Sequence, residues 1–190
     1  GEVQYTKTAL KASATKASIP ATVKIAGKTY KVTSVAKAAL KGKGIKSLAI
    51  GKNVKTIGAS AFASCKKLTK VTGGASVTSI GTSAFSGDVK LVTVPAFGKL
   101  AMVGKAAFQG CAAMKTFTLG AKVTTVGAKA FQNCKKLAKL TINAKKLKSV
   151  GKAALKGTPA KLVVKVPKAK KAAYTKLLKA AGLPKKATVK

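Results

Sequence analysis

The chain is 190 residues long and 47% hydrophobic, and it carries 39 lysines, no arginine and no histidine against two acids, Glu2 and Asp88, for a formal charge of +37. That is enough apolar mass for a continuous core and enough unbalanced charge to repel itself and attract polyanions. With no histidine and two carboxylates it cannot assemble Ser/His/Asp or Cys/His nucleophilic sites or the paired carboxylates of glycoside hydrolysis, so the common hydrolases are excluded.

Residues 1–30 do not keep the period that governs the rest of the chain. A Thr/Ser/Ala/Lys-rich lead with alternating character runs to Pro20 and leaves Glu2 in a frayed terminus. ATVKIAGKTYKVTSV then alternates polar and apolar residues around Ala26-Gly27-Lys28, which predicts two short strands joined by a glycine turn and serving as an N-terminal β cap. Such a cap is needed because an open rung exposes an unpaired strand edge and bare core.

From 31 to 166 the chain reads as a six-rung solenoid, with its regular rungs over 54–146. Gly58, Gly81, Gly104 and Gly127 stand 23 residues apart, as do Phe62, Phe85, Phe108 and Phe131. A fixed period of this size is the signature of a repeat architecture. The first unit is degenerate, with Val35, Ala36 and Leu40 in the frame at a spacing of 22; the last, with Val150, Gly151 and Leu155, has a spacing of 24.

Within a rung, Leu68–Thr72 and its counterparts 91–95, 114–119 and 137–142 are rich in β-branched residues, and these predict one parallel sheet with strands about 4.8 Å apart. The recurring glycine marks either a backbone bend with positive φ or a point of close approach. The following Ala-Phe pair fits one helical or 3-10 turn with the phenylalanines stacked inside. The overall expectation is an α/β repeat solenoid, a right-handed superhelix dominated by strands.

Residues 167–190 change character. Pro167 opens a stretch of good helix formers that stops at Gly182 and Pro184, predicting a capping helix of about three to four turns. Ala169, Ala173, Leu177 and Ala180, flanked by Tyr174, Leu178 and Ala181, form its expected apolar face. A helix lying on a membrane surface is the alternative, but its few large apolar residues offer little insertion. No stretch reaches the roughly 18 uninterrupted apolar residues of a membrane span.

Cys65, Asp88, Cys111 and Cys134 share one column of the repeat. Cys111 and Cys134 fall one rung apart, near enough for a disulfide; the plainer reading is small buried thiols filling a niche. With no histidine and no C-x-x-C spacing, nothing suggests a metal site. No cofactor-binding or catalytic residue is singled out, and a reactive lysine has nothing to distinguish it from the others.

The residues left for a partner are those the repeat does not fix. By alternation the outward strand positions are Lys70, Thr93, Thr116 and Lys139, then Thr72, Pro95, Thr118 and Thr141, a flat threonine column flanked by lysine. Lys66, Lys67, Lys135 and Lys136, after the cysteine column, add paired charges on another face. Threonine ladders suit a merely solvated sheet, and dispersed lysines suit solubility, so each surface carries a functional and a structural interpretation.

The frame V-x-x-I-G-x-x-A-F-x-x-C-x-x-L-x-x-V resembles the BspA-type leucine-rich repeat of bacterial surface proteins, and the two end segments are similar to the ends of such arrays in Gram-positive bacteria, a likeness covering about residues 18–184. The resemblance implies a leucine-rich-repeat fold, secretion or display on the cell wall after removal of a leader, and adhesion without catalysis. Two departures stand out: Asp88 where cysteine is usual, and lysine where Ser, Asp or Glu is common. The expected partners are accordingly an anionic cell-envelope polymer, a glycan or a host surface protein, bound by a monomer. Non-specific nucleic acid retention follows from charge alone, but the lack of arginine and the 5% aromatic content argue against specific reading of bases.

Overall fold

The computed structural model describes residues 1–6 and 13–190; the part of the N-terminal lead at 7–12 lies outside the described residues. In chain order the elements are β1 (Glu2–Tyr5), β2 (Lys16–Ile19), β3 (Thr22–Ile25), β4 (Lys28–Val35), β5 (Ser47–Ile50), β6 (Thr56–Ile57), β7 (Lys70–Gly73), β8 (Ser79–Ile80) and β9 (Met102–Val103). They continue with β10 (Thr116–Leu119), β11 (Thr125–Val126), β12 (Lys139–Ile142), β13 (Ser149–Val150), β14 (Val163–Lys165), the helix α1 (Lys171–Ala180) and β15 (Thr188–Val189).

The expected solenoid forms, but its strands stack in two columns rather than one. The unbroken column, β1-β4-β6-β8-β9-β11-β13, lies on the side of the V-x-x-I motif, where most rungs contribute only two residues. The column anticipated from the β-branched segments is split into β2-β5-β7 and β10-β12-β14-β15. The recurring glycine explains why the first column is continuous. The N–H groups of Gly58, Gly81 and Gly104 each donate to the carbonyl of the residue before the glycine position one rung back, at 2.8 Å. A Cβ on these glycines would come within 2.5–2.8 Å of that rung's backbone. None of the three has positive φ, so the requirement is close approach and not a left-handed bend.

The Ala-Phe turn has 3-10-type bonds, but only at every second residue. Ala61, Ala63 and Cys65 donate to Gly58, Ser60 and Phe62, three residues back, while Ser60, Phe62 and Ser64 donate to the next rung at 2.8 Å. Left-handed φ values of 53° at Ser60 and 60° at Ser64 turn alternate amides in this way. The turn therefore adds a third line of contacts between rungs, one that a continuous 3-10 helix could not make because its amides are spent internally.

Inside, Phe62, Phe85, Phe108 and Phe131 form the expected ladder, with centroid distances of 5.1, 5.3 and 5.7 Å, and Phe117 wedges against Phe108 at 4.9 Å and Phe131 at 5.0 Å.

The ends depart from expectation. Glu2 is not frayed: it sits in β1, the outermost strand of the continuous column, and β2 opens the other column, so the lead supplies strands to both. The β3-β4 hairpin forms as predicted, antiparallel around Ala26 and Gly27, with β3 off the main path. At the other end α1 follows a 3-10 turn at Lys168–Lys170 and stops before Gly182. Its buried line is Tyr174, Leu178 and Ala181, while Ala169, Ala173 and Ala180 are exposed. The helix is rotated toward the tyrosine because its hydroxyl has two partners, donating to Ala144 O at 2.9 Å and accepting from Leu147 N–H at 3.0 Å. Beyond the helix, β15 pairs with β14, a strand not anticipated from the lysine-rich tail.

Candidate functional site

The split column runs through the middle of the candidate face. Lys70 meets Thr93 in a single isolated bridge, and Thr116 and Thr118 lie directly beside Lys139 and Thr141, but Thr93 and Thr116 are not paired. Three sequence features cause the break. Pro95 has no N–H to donate to the neighbouring strand. The inward position held by Ile50, Leu119 and Ile142 in other rungs is occupied by Gly73 and Ala96, both exposed, in the two rungs before the break. Phe97 fills the vacated core and is 2% exposed; a Cβ on Gly74 would stand 2.8 Å from its ring. The flat threonine column is therefore two shorter faces. Lys70, Thr72, Thr93, Thr116 and Lys139 are exposed, Thr118 and Thr141 half-buried, and the Thr72 hydroxyl is directed at Leu48 O, 3.5 Å away.

Lys66, Lys67, Lys135 and Lys136 are all exposed. The rungs bearing Val89-Lys90 and Ala112-Ala113 separate the two pairs, with Ala113 bonded to Val89 and Lys136 to Ala112 along the stack. The structure does not bring the pairs together. Val89 and Val92, 44% and 38% exposed, make this intervening stretch more apolar than its flanks.

Charge compensation is minimal. Among the described residues the one ion pair joins Lys55 Nζ to Glu2 Oε1 at 2.7 Å, and the hydrogen bond from Lys55 lowers the Glu2 pKa. Asp88 is fully buried, so it neutralises no surface lysine.

The cysteine column is free thiol throughout, so the disulfide alternative between Cys111 and Cys134 is not what forms. Each S–H donates to a main-chain carbonyl of the preceding rung at 3.1 Å: Cys65 to Leu40, Cys111 to Phe85 and Cys134 to Phe108. Burial pushes the thiols of Cys65 and Cys134 up to about 12 and that of Cys111 well above its usual range, which removes thiolate chemistry at neutral pH. Thiol titration should find three reactive groups after denaturation without reductant and almost none in the native state. A count of one in the denatured, unreduced protein would show a bond instead.

Asp88 takes the place of a thiol in this column. Its Oδ1 accepts the Cys65 N–H at 2.8 Å and its Oδ2 has no partner. Burial raises its pKa to about 8, outweighing the Cys65 hydrogen bond, which acts in the opposite direction. In the last rung Thr158 occupies the equivalent position, its hydroxyl donating to Leu155 O at 2.8 Å.

A lysine grouping outside the candidate set lies near the C-terminal end. Lys145, Lys146, Lys148 and Lys170 line one cavity with Tyr174, and Lys145 and Lys165 line its neighbour. The sequence signal for it was the single extra residue that lengthens this unit to 24.

A parallel-strand solenoid with stacked aromatic and thiol ladders, open on all faces and sealed by a terminal helix, defines a leucine-rich-repeat module, a class whose work is done by its surface. The chain belongs to the BspA type leucine rich repeat family, six copies of which match residues 33–161. In fold it is similar to the leucine rich repeat protein TpLRR of T. pallidum, with 21% identity and a TM-score of 0.69, covering 98% of this chain and 92% of that one. A leucine-rich repeat protein from Bacteroides ovatus is 25% identical with a TM-score of 0.59, over 80% of this chain and 51% of that one. The pneumococcal vaccine antigen PcpA is 16% identical with a TM-score of 0.64, over 92% of this chain and 55% of its own. No curated protein sequence matches the chain.

Proposed function

We propose that this chain is a non-enzymatic module of the cell surface or cell wall that binds or anchors to anionic polymers or glycans through its lysine-covered exterior. The observation that carries this reading is the near absence of internal compensation: 39 lysines face two acids, of which one is buried and the other holds the single ion pair seen among the described residues. Uncompensated ammonium groups on a rigid scaffold bind polyanions by releasing counterions, so affinity falls steeply with salt. Display outside the cell rests on the family, and no helix of the described residues is long and apolar enough to cross a membrane. The test is retention on immobilised teichoic acid or heparin across a salt gradient. Early elution as salt rises is the expected result; retention unchanged into high salt overturns the reading.

A second reading, a protein-binding adhesin using the strand face with lysines only for solubility, is favoured by the exposed Thr72, Thr93 and Thr116, uncharged positions on that face of an otherwise lysine-rich exterior. It predicts that Thr116→Glu with Lys139→Glu abolishes partner binding, whereas lysines elsewhere are replaceable.

A further inference from the structure

We infer that the polyanion is gripped chiefly at one place, the lysine pocket formed by Lys145, Lys146, Lys148, Lys165 and Lys170, and that this pocket takes a phosphate or sulfate group carried on the polymer. The inference rests on the anionic-polymer reading and assigns it a site.

The pocket is built from three separate segments: the loop leading to β13, the end of β14 and the start of the terminal helix. Its two adjoining cavities measure about 330 and 400 Å³ and share Lys145. All five lysines are exposed at the rim, with no acidic side chain among the lining residues. Ammonium groups lining the same cavity, four in the first and two in the second, repel one another, and an oxyanion seated between them relieves that repulsion with every contact.

Two features distinguish this group from the rest of the coat. The loop carries the one residue inserted relative to the regular 23-residue frame, between Asn143 and Leu147, while Lys148 keeps the column position of Thr124. It is also pinned at both ends: Tyr174 accepts from Leu147 N–H and donates to Ala144 O, fixing the main chain on either side of Lys145 and Lys146. A fixed backbone lowers the entropy lost on binding, and the other lysine-lined cavities, at Lys43, Lys66 and Lys67 and at Lys171, Lys179 and Lys185, carry three lysines each against the four that surround Tyr174 here. Ammonium groups act as point charges and do not discriminate phosphate from sulfate by shape, so the pocket selects charge density.

The test compares two variants of equal charge, Lys145→Gln/Lys146→Gln/Lys148→Gln and Lys66→Gln/Lys67→Gln/Lys70→Gln, in binding to polyphosphate at low and moderate salt. The pocket variant should lose about tenfold or more in affinity and the other about threefold or less. Equal losses overturn the pocket while leaving the coat reading intact. Failure of the unmodified protein to bind in a salt-dependent way overturns the coat reading itself. Titration of the unmodified protein with inorganic phosphate, followed by amide chemical shifts, needs no variant to fold: shifts centred on Leu147 and Ala173 support the pocket, and shifts spread evenly over the lysine-bearing rungs overturn it. Saturation by inorganic phosphate alone identifies the free anion as a sufficient ligand, whereas a requirement for polyphosphate assigns the site to a polymer-borne group.

Discussion

Unfolding free energy should fall as pH is raised from about 4 to about 8, by at most about 1.4 kcal/mol per pH unit, and then level off. Asp88 is the cause. Its carboxyl has a pKa of about 8 in the folded chain against 3.8 when solvated, because burial disfavours the charged form and Oδ2 has no donor to accept from. The folded state therefore holds the proton through a range in which the unfolded state has released it. The resulting stability is complete below the unfolded pKa and is lost as pH rises through the folded one. Most proteins weaken toward acid, as their paired carboxylates protonate; this one should strengthen. Glu2 acts in the opposite sense, its pKa lowered by the hydrogen bond from Lys55, so its contribution is present at neutral pH and is lost only toward the acid end. With no histidine in the chain, the interval from 4 to 8 contains almost no other titrating side chain. Urea unfolding at one-unit steps of pH measures the slope directly. Asp88→Cys, which restores the column's thiol, should flatten it and raise stability at pH 8; a flat profile for the unmodified protein would sink the assignment.

The second large effect concerns the phenylalanine ladder. Phe108→Ala should cost about 3–5 kcal/mol, the range for emptying a buried aromatic site that its surroundings cannot refill. Phe108 is fully buried and touches aromatic rings on three sides: Phe85, Phe131 and Phe117. Its stacking planes on Phe85 and Phe131 are within 1° of parallel, so the rungs cannot close over the gap without shifting the backbone ladder that sets their separation. A double-mutant cycle with Phe117→Ala should add a coupling of about 0.5–1.5 kcal/mol between the two rings. A cost below about 1 kcal/mol in urea denaturation would mean that the core collapses freely, contrary to this packing.

The period made the core legible from the residues alone: Ile57, Phe62, Leu68, Val71 and their counterparts are inward because the repeat demands it. The strand columns were less legible. Two-residue strands such as β6 and β8 are too short to carry an alternation signal, yet their glycines let rungs approach so closely that this column alone is continuous. The break in the other column was hidden because it depends on an exchange between rungs, Gly73 and Ala96 giving up side chains whose space Phe97 takes. No single unit shows that exchange; only stacking reveals it. The same applies to the candidate site. Lysine exposure could be read from the sequence, whereas the grouping of Lys145, Lys148 and Lys170 around one cavity requires the terminal helix to dock with Tyr174 inward, one line of side chains away from the alanine face that the pattern suggested.

The interruption between Thr93 and Thr116 also has a mechanical meaning. A stack of rungs transmits tension from one neighbour to the next, and its strength is that of its least connected joint. At this joint one of the two strand columns is absent, so load is carried by the β8-β9 pairing, the turn amides and the stacked rings of Phe85 and Phe108. A molecule tethered at one end and pulled at the other would part here first, yielding two intact half-stacks instead of unravelling from a terminus.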